Sequence, residues 1–343
     1  MAKTPHILLL YTGGTIGMIR DFDTGILRPF NFDKLLMQIP ELKHLDCKIS
    51  SVSFEEPIDS SNMNPAHWSV ICDRIQERYN DFDGFVVLHG SDTMAYTASA
   101  ISFMFENLSK PVIFTGSQLP IGYIRTDAKE NLITSIEIAA TQKNGRPIVS
   151  EVCLYFEYKL YRANRTTKIS SQHFNAFISP NMDPLAESGV DLSFNQYLLL
   201  KHRKSCDLKV SRQLSENIVV LKLFPGITEQ VVKNVLSIEK LEGVILETFG
   251  AGNSPTNLWF QKHLKEALKK GVKIVNVTQC IEGGVQMGRY ETSEHLKSLG
   301  LIDGKNITTE AAIAKLMYLL AKDLSEIEFK SLFETSLRGE IDE

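Results

Sequence analysis

The chain has no apolar stretch long enough to span a bilayer, which takes about 20 consecutive apolar residues. Its N-terminal run, MAKTPHILLLYTGG, ends in a turn rather than a small-residue cleavage site, so it predicts a buried strand and not a signal peptide. An excess of basic charge is also missing. Lys and Arg number 37 against 41 Asp and Glu, a net charge of -4. Nothing electrostatic therefore favours nucleic acid or an anionic membrane as a partner. The one basic cluster, Lys201-His202-Arg203-Lys204, is short and reads as a solvated linker. Cysteine is scarce: Cys47, Cys72, Cys153, Cys206 and Cys280 are odd in number and scattered, with no CxxC pair. A disulfide framework and a metal site are both disfavoured, and a reducing cytoplasm is the compartment implied. Phosphate signatures are absent as well, since neither GxGxxG nor GK[ST] occurs.

What remains is a soluble α/β pattern. At 343 residues with 43% hydrophobic content, the chain is long for one core and predicts two domains. HILLLY (6–11), GFVVLH (84–89), PVIFTG (111–116) and EVCLYF (151–156) read as strands buried on both faces. Between them, 66–79, 95–107 and 128–141 carry helical spacing. Strands alternating with helices imply parallel pairing in a doubly wound sheet. The pattern thins past Phe177 and restarts at NIVVLKLFPG (217–226), GVILETFG (243–250) and VKIVNVTQC (272–280). The resulting division is an N-terminal α/β domain over 1–190, a connector over 191–212, and a smaller Rossmann-like α/β domain over 213–343.

Ligands of open α/β sheets bind at the carboxyl ends of strands. The loops there are TGGTIG after the first strand, GSDT after GFVVLH, TGSQLP after PVIF and FGAGNSP after GVILET. They are rich in hydroxyls and small residues. Glycines in the first allow the backbone to approach a ligand and leave the Thr15 side chain free at the sheet edge. Asp92 sits at the start of a helical pattern and, alone, reads as an N-cap beside Ser91 and Thr93. That position would also set backbone N–H groups beside a bound carboxylate. In LYRANRTTK, Lys168 reads either as surface charge or as the base that activates a neighbouring hydroxyl. His89 reads as a core or supporting histidine. Trp68 and Trp259 read as packing residues, and Arg125, Asp127 and Glu130 as residues that hold loops together or contact a neighbour. The C-terminal GEIDE reads as a solvated tail.

Taken in order, TGGTIG, HGSDTMAYTASA, TGSQLP, RANRTTK and GAGN resemble the bacterial type I (cytoplasmic) L-asparaginases, over most of the chain. The resemblance implies hydrolysis of L-asparagine to L-aspartate and ammonia, with no metal or organic cofactor. By position, Thr15 matches the nucleophile that forms an acyl-enzyme. Ser91, Asp92 and Lys168 match a hydroxyl–acid–lysine set in which the lysine helps move a proton and the acid binds the α-amino group. Asp59, Ser60 and Ser61 match the segment that grips the α-carboxylate. Asn253 matches a residue lent by a neighbouring subunit, which implies a homodimer or homotetramer.

Three positions depart from that pattern. Ser91 stands where threonine is usual, so the methyl that fixes the rotamer is gone. Function should be reduced but not abolished, and a Ser91→Thr variant less active than the parent would count against this. Ile26 stands where the lid of the family carries a tyrosine, and Tyr11 precedes the turn. Glu247 replaces an arginine, in the strand before GAGN, that allosteric members use to grip a second asparagine. A carboxylate cannot do that work, so no asparagine-driven activation is expected by this route. Two alternatives stay open: a glutamine-preferring amidohydrolase of the same family, or an amino-acid sensor that kept the pocket without turnover. A tRNA-linked amidase is disfavoured, since it usually needs an added domain for which no spare segment is visible.

Overall fold

The computed structural model describes residues 3–20, 27–29, 36, 39–201, 206–289 and 291–343. Ile26 and most of the basic stretch, His202 to Lys204, lie outside them. The chain divides into two compact units, Met1–Arg212 and Gln213–Glu343.

The first unit is built on an eight-stranded sheet. Strand β1 (His6–Tyr11) is second from one edge, with β2 (Lys48–Ser53) as the edge strand on one side and β3 (Gly84–Leu88), β4 (Val112–Thr115) and β5 (Val152–Phe156) on the other, all parallel. Ile7 to Leu10 and Phe85 to Leu88 are all buried to within 1% exposure, as expected for strands covered on both faces. Each such side chain contributes about 1.5–3 kcal/mol of transfer free energy. The helices that cover them are α1 (Pro65–Glu77), α2 (Met94–Met104) and α3 (Ala128–Ala140). Helix α1 starts where Asn64 Oδ1 accepts from the N–H groups of Ala66 and His67, with Pro65 at the first helical position, where its missing N–H costs nothing.

Two parts of this sheet go beyond the sequence reading. β2, with sequence KISSVS, is an edge strand whose polar residues mask its period. At the other edge the sheet turns antiparallel. Glu157 and Tyr158 both have positive φ, 47° and 65°, the geometry of a tight hairpin. β6 (Lys159–Arg162) therefore folds back on β5, followed by β7 (Ala186–Ser188) and β8 (Leu192–Phe194). Alternation of strand and helix implies parallel pairing only where a helix intervenes; here none does, so the sheet is mixed. Residues 192–194 thus belong to the first unit's sheet, and Lys209–Val210 pairs with Phe105–Glu106 in the same unit.

The second unit has a four-stranded parallel sheet, β9 (Ile218–Lys222), β10 (Gly243–Thr248), β11 (Lys273–Thr278) and β12 (Ile302–Asp303), in sequential order. Helices α4 (Glu229–Leu236), α5 (Leu258–Lys269), α6 (Glu291–Leu299), α7 (Thr309–Leu320) and α8 (Glu326–Phe333) accompany it. The C-terminal GEIDE is not the solvated tail its acidity suggests. Glu340 is fully buried and Ile341 is 3% exposed. Lys315, on α7, lies within 2.5 Å of Glu340 Oε1 and donates to the carbonyls of Phe333 and Thr335. A buried cation with three acceptors offsets the desolvation of both charges, which is why an acidic segment folds inward.

Candidate active site

The strand order β2-β1-β3-β4-β5 reverses direction between β1 and β3, the kind of point at which open α/β sheets bind ligands. Both hydroxyl-rich motifs fall at this point. Thr12 ends β1: its N–H and Oγ1 both bond the carbonyl of Leu88, at 3.0 and 2.9 Å. Gly13 and Gly14 follow, with φ of 136° and 91°. A Cβ on Gly14 would sit 2.6 Å from Cα of Gly90, and one on Gly13 2.1 Å from the carbonyl oxygen of Ile58. Only glycine lets the first turn press against the loops that follow β2 and β3. The pair thus delivers Thr15, partly buried, at the start of a single 3-10 turn over Thr15–Gly17. Tyr11 lies beneath this turn, where a Cβ on Gly17 would fall 2.3 Å from its hydroxyl oxygen. Burial pushes the Tyr11 phenol up to about 12.

The second loop is locked from another side. A Cβ on Gly90 would lie 2.5 Å from Ser60 Oγ, and Thr93 Oγ1 donates to the Ser60 carbonyl at 2.7 Å. Asp59 caps the 3-10 turn Ser60–Asn62, accepting from Ser61 N–H at 2.9 Å and Ser61 Oγ at 2.6 Å. The Ser61 hydroxyl, then its N–H, hold the Asp59 carboxyl below its usual value. Asp59 therefore organises this turn, while Ser60, buried, faces the Gly90 loop.

Lys168 completes the cluster. It lies on a two-residue strand, Thr167–Lys168, paired with Phe177–Ile178. Its Nζ donates to Ser91 Oγ at 2.9 Å and to Asp92 Oδ1 at 2.6 Å. The capping reading of Asp92 is corrected by this geometry. The N-cap of α2 is Thr93, whose side chain makes no capping bond, because its hydroxyl is spent on Ser60 and the Asp92 carboxylate on Lys168. The Asp92 side chain is 68% exposed against 16% for Lys168, so the rest of the carboxylate is open to a second cation. Thr15, Asp59, Ser60, Ser61, Ser91, Asp92 and Lys168 thus all lie in the first unit, on loops and short turns and, for Lys168, on a two-residue strand. Asn253 belongs to the second unit. It follows β10 and bridges Phe249 through paired backbone bonds, while its Oδ1 accepts from Thr292 Oγ1 at 2.8 Å.

Sequence reasoning gave TGSQLP a place but no role to Gln118. The Gln118 side chain meets Ser91 Oγ at 3.2 Å, and its backbone N–H bonds the Asp127 carboxylate at 2.8 Å. A loop glutamine carries no signal by itself; only its contacts reveal it. Asp127 and Glu130 hold structure, as expected: Asp127 secures the Gln118 loop, and Glu130 accepts from Thr134 and Tyr155. A cleft of about 920 Å3 opens beside this loop, lined by Met18, Gln118, Tyr123 and Phe174 among others. Among the described residues no three His, Cys, Asp or Glu side chains gather as a metal site would require.

His89 supports the second loop from within. It is fully buried, its Nδ1 lies 2.7 Å from the Gly90 carbonyl, and Nε2 has no hydrogen-bond partner. Burial pushes the imidazole down to about 4, against 6.5 when free, despite the bond to Gly90. The unfolded chain therefore takes up a proton in a range where the native state does not, and stability is lost as pH falls through that window. Denaturation at about pH 7 and pH 4.5 should show His89→Gln losing about 2 kcal/mol less than the parent over that interval. Equal losses would remove His89 as the cause.

In the second unit, Glu247 Oε1 accepts from Thr309 Oγ1 at 2.8 Å and its Oε2 lies 3.4 Å from Lys222 Nζ. Cys280 is exposed. No described helix is long and apolar enough to cross a membrane.

Two family descriptions match the chain: "Asparaginase, N-terminal" over residues 6–199 and "Glutaminase/Asparaginase C-terminal domain" over 217–333. L-asparaginase 1 of Escherichia coli strain K12 is 40% identical over 336 residues, 98% of this chain and 97% of that protein. The crystal structure of L-asparaginase I from Vibrio cholerae superposes with a TM-score of 0.89 at 41% identity, covering 99% of this chain and 100% of that one. A probable cytoplasmic L-asparaginase from Campylobacter jejuni gives a TM-score of 0.80 at 26% identity, over 96% and 99% of the two chains.

Proposed function

The chain belongs to the asparaginase family, and we propose on that premise that it hydrolyses L-asparagine to L-aspartate and ammonia through an ester on Thr15. One observation carries the reading: Lys168 Nζ bridges Ser91 and Asp92 in a loop that packs, at Gly90, directly on Gly14 before Thr15. A carboxamide is a poor electrophile, so a covalent step divides one hard hydrolysis into two easier ones. Thr15 Oγ attacks the side-chain carbonyl carbon, and the C–N bond breaks as the nitrogen takes up a proton and leaves as ammonia. Water then attacks the ester carbon, and aspartate departs as the oxygen of Thr15 regains its proton. Lys168 and Ser91 carry these protons. N–H groups of the glycine turn stabilise the oxyanion, an effect commonly worth about 3 kcal/mol per donor.

The substrate's ends fit the same loops. Its α-ammonium pairs with the open part of the Asp92 carboxylate. Its α-carboxylate is held by the turn that Asp59 organises, with Ser60 and Ser61 nearest. Asn253 reaches the site from a second copy, so the active form is a homodimer or a dimer of dimers, in the cytoplasm. No cofactor is required by this chemistry.

The test is ammonia release from L-asparagine, L-glutamine and D-asparagine across concentrations. A preference for L-asparagine is expected. The C-terminal family description names glutaminases too, and one methylene shifts affinity by only about 1–3 kcal/mol, so faster release from L-glutamine would replace asparagine as the substrate. Binding of L-asparagine without ammonia would make the protein a sensor. The rate curve for L-asparagine should be hyperbolic, since Glu247 offers a carboxylate already engaged by Thr309 and Lys222. A sigmoidal curve abolished by changes at Glu247, Thr167 and Cys280 would contradict this.

A further inference from the structure

We propose that Gln118 is a positioning residue for Ser91, holding the Ser91 hydroxyl hydrogen so that the oxygen keeps a lone pair toward Lys168. The inference rests on the assignment of Ser91 and Lys168 to the catalytic set made above.

Both ends of the Gln118 carboxamide are committed. Its Nε2 lies 3.0 Å from the carbonyl oxygen of His173 and 3.4 Å from that of Ser170. Nitrogen must face these two acceptors, because a reversed amide would set oxygen against two oxygens. Oε1 is then the end 3.2 Å from Ser91 Oγ. An amide oxygen only accepts, so the Ser91 hydroxyl donates to it. The same Ser91 oxygen receives a hydrogen bond from Lys168 Nζ at 2.9 Å. Ser91 gives its hydrogen to Gln118 and keeps a lone pair for Lys168. In this arrangement Lys168 is held as the donor to Ser91; Ser91 takes the Lys168 proton only as it swings its own hydrogen off Gln118 and gives it to a reacting atom.

Serine has no β-branch, so sterics alone leave its χ1 free among staggered wells. Gln118 closes that freedom only if it is itself fixed, and contacts to its backbone and its amide fix it. Its N–H and that of Leu119 bond the two carboxylate oxygens of Asp127, at 2.8 and 3.1 Å. Asp127 is 7% exposed and leads into α3. The carbonyls that orient the amide lie on a turn held by Ser170 Oγ, which accepts from the N–H groups of Gln172 and His173 at 3.1 and 2.9 Å. Asp127, Gln118, Ser91 and Lys168 form one continuous line of hydrogen bonds from the core to the site.

A double-mutant cycle on the full-length protein tests this, with ammonia release from L-asparagine as readout. The four proteins are the parent, Gln118→Met, Ser91→Thr and the combination. Threonine restricts χ1 through its methyl and so replaces what the glutamine supplies. Gln118→Met is expected to lower kcat about tenfold with KM within about threefold. Ser91→Thr alone should raise kcat, by no more than about threefold because Gln118 already restrains the serine, and Gln118→Met should cost less than about threefold in the threonine background. The same loss in both backgrounds would assign Gln118 to loop packing and overturn the proposal, as would no loss in the parent. Should Gln118→Met not fold, Gln118→Asn draws the acceptor away by one methylene and is read against the same expectations. Undiminished ammonia release by Ser91→Ala is a separate outcome: it would remove Ser91 from the catalytic set, whatever the cycle shows.

Discussion

Thr15→Ala is expected to lower kcat for L-asparagine by at least about a thousandfold, while the affinity for L-aspartate stays within about threefold. The neighbouring Thr12 cannot substitute, since it is fully buried and its Oγ1 is spent on the Leu88 carbonyl at 2.9 Å. Nor should the turn collapse. Its shape is set by the positive φ of Gly13 and Gly14 and by the Gly17 N–H on the Gly14 carbonyl, and the Thr15 side chain caps nothing. Stability should therefore change by less than about 0.5 kcal/mol. Ammonia release, calorimetric titration with L-aspartate and a denaturation curve together check these three statements. Turnover at the parent's rate would end the nucleophile assignment.

Lys168→Met should cost about 10^2- to 10^4-fold in kcat, the usual range for removing a positioned proton-transfer group. Two hydrogen bonds vanish at once, to Ser91 and to Asp92, so the hydroxyl loses its proton source and the carboxylate its fixed orientation. The ion pair itself is not what holds the fold. Asp92 is 68% exposed, so no buried charge is stranded and the pair is worth about 1 kcal/mol or less. A large kinetic loss with a small stability loss is the signature to look for. Partial restoration of activity by an added primary amine would attribute the loss to the missing ammonium rather than to loop disorder. A stability loss as large as the kinetic one would make Lys168 a structural residue.

Much of this arrangement is legible in the residues. The strands at 6–11 and 84–88 announce themselves because a strand buried on both faces must be apolar throughout. The glycine pair before Thr15 is readable because two positive φ values and two close backbone approaches leave no other residue. Other parts follow from contacts that no local pattern encodes. The strand KISSVS lies at a sheet edge, where polar residues are allowed. The antiparallel edge depends on a hairpin at Glu157 and Tyr158, neither of them glycine. Asp92 looks like a helix cap until Lys168, far along the chain, claims its carboxylate. Glu340 looks solvated until Lys315 is found beneath it. Gln118 looks like any loop amide. Asp92, Glu340 and Gln118 are each claimed by a partner distant in sequence, and sequence alone does not reveal such partners.

The most direct test is to quench the protein during turnover of a slow L-asparagine analogue and locate any aspartyl ester by peptide mass mapping. An ester on the peptide that carries Thr15, absent from Thr15→Ala, is the predicted result. Full turnover with no ester at Thr15, or with the ester on Ser91, would contradict it.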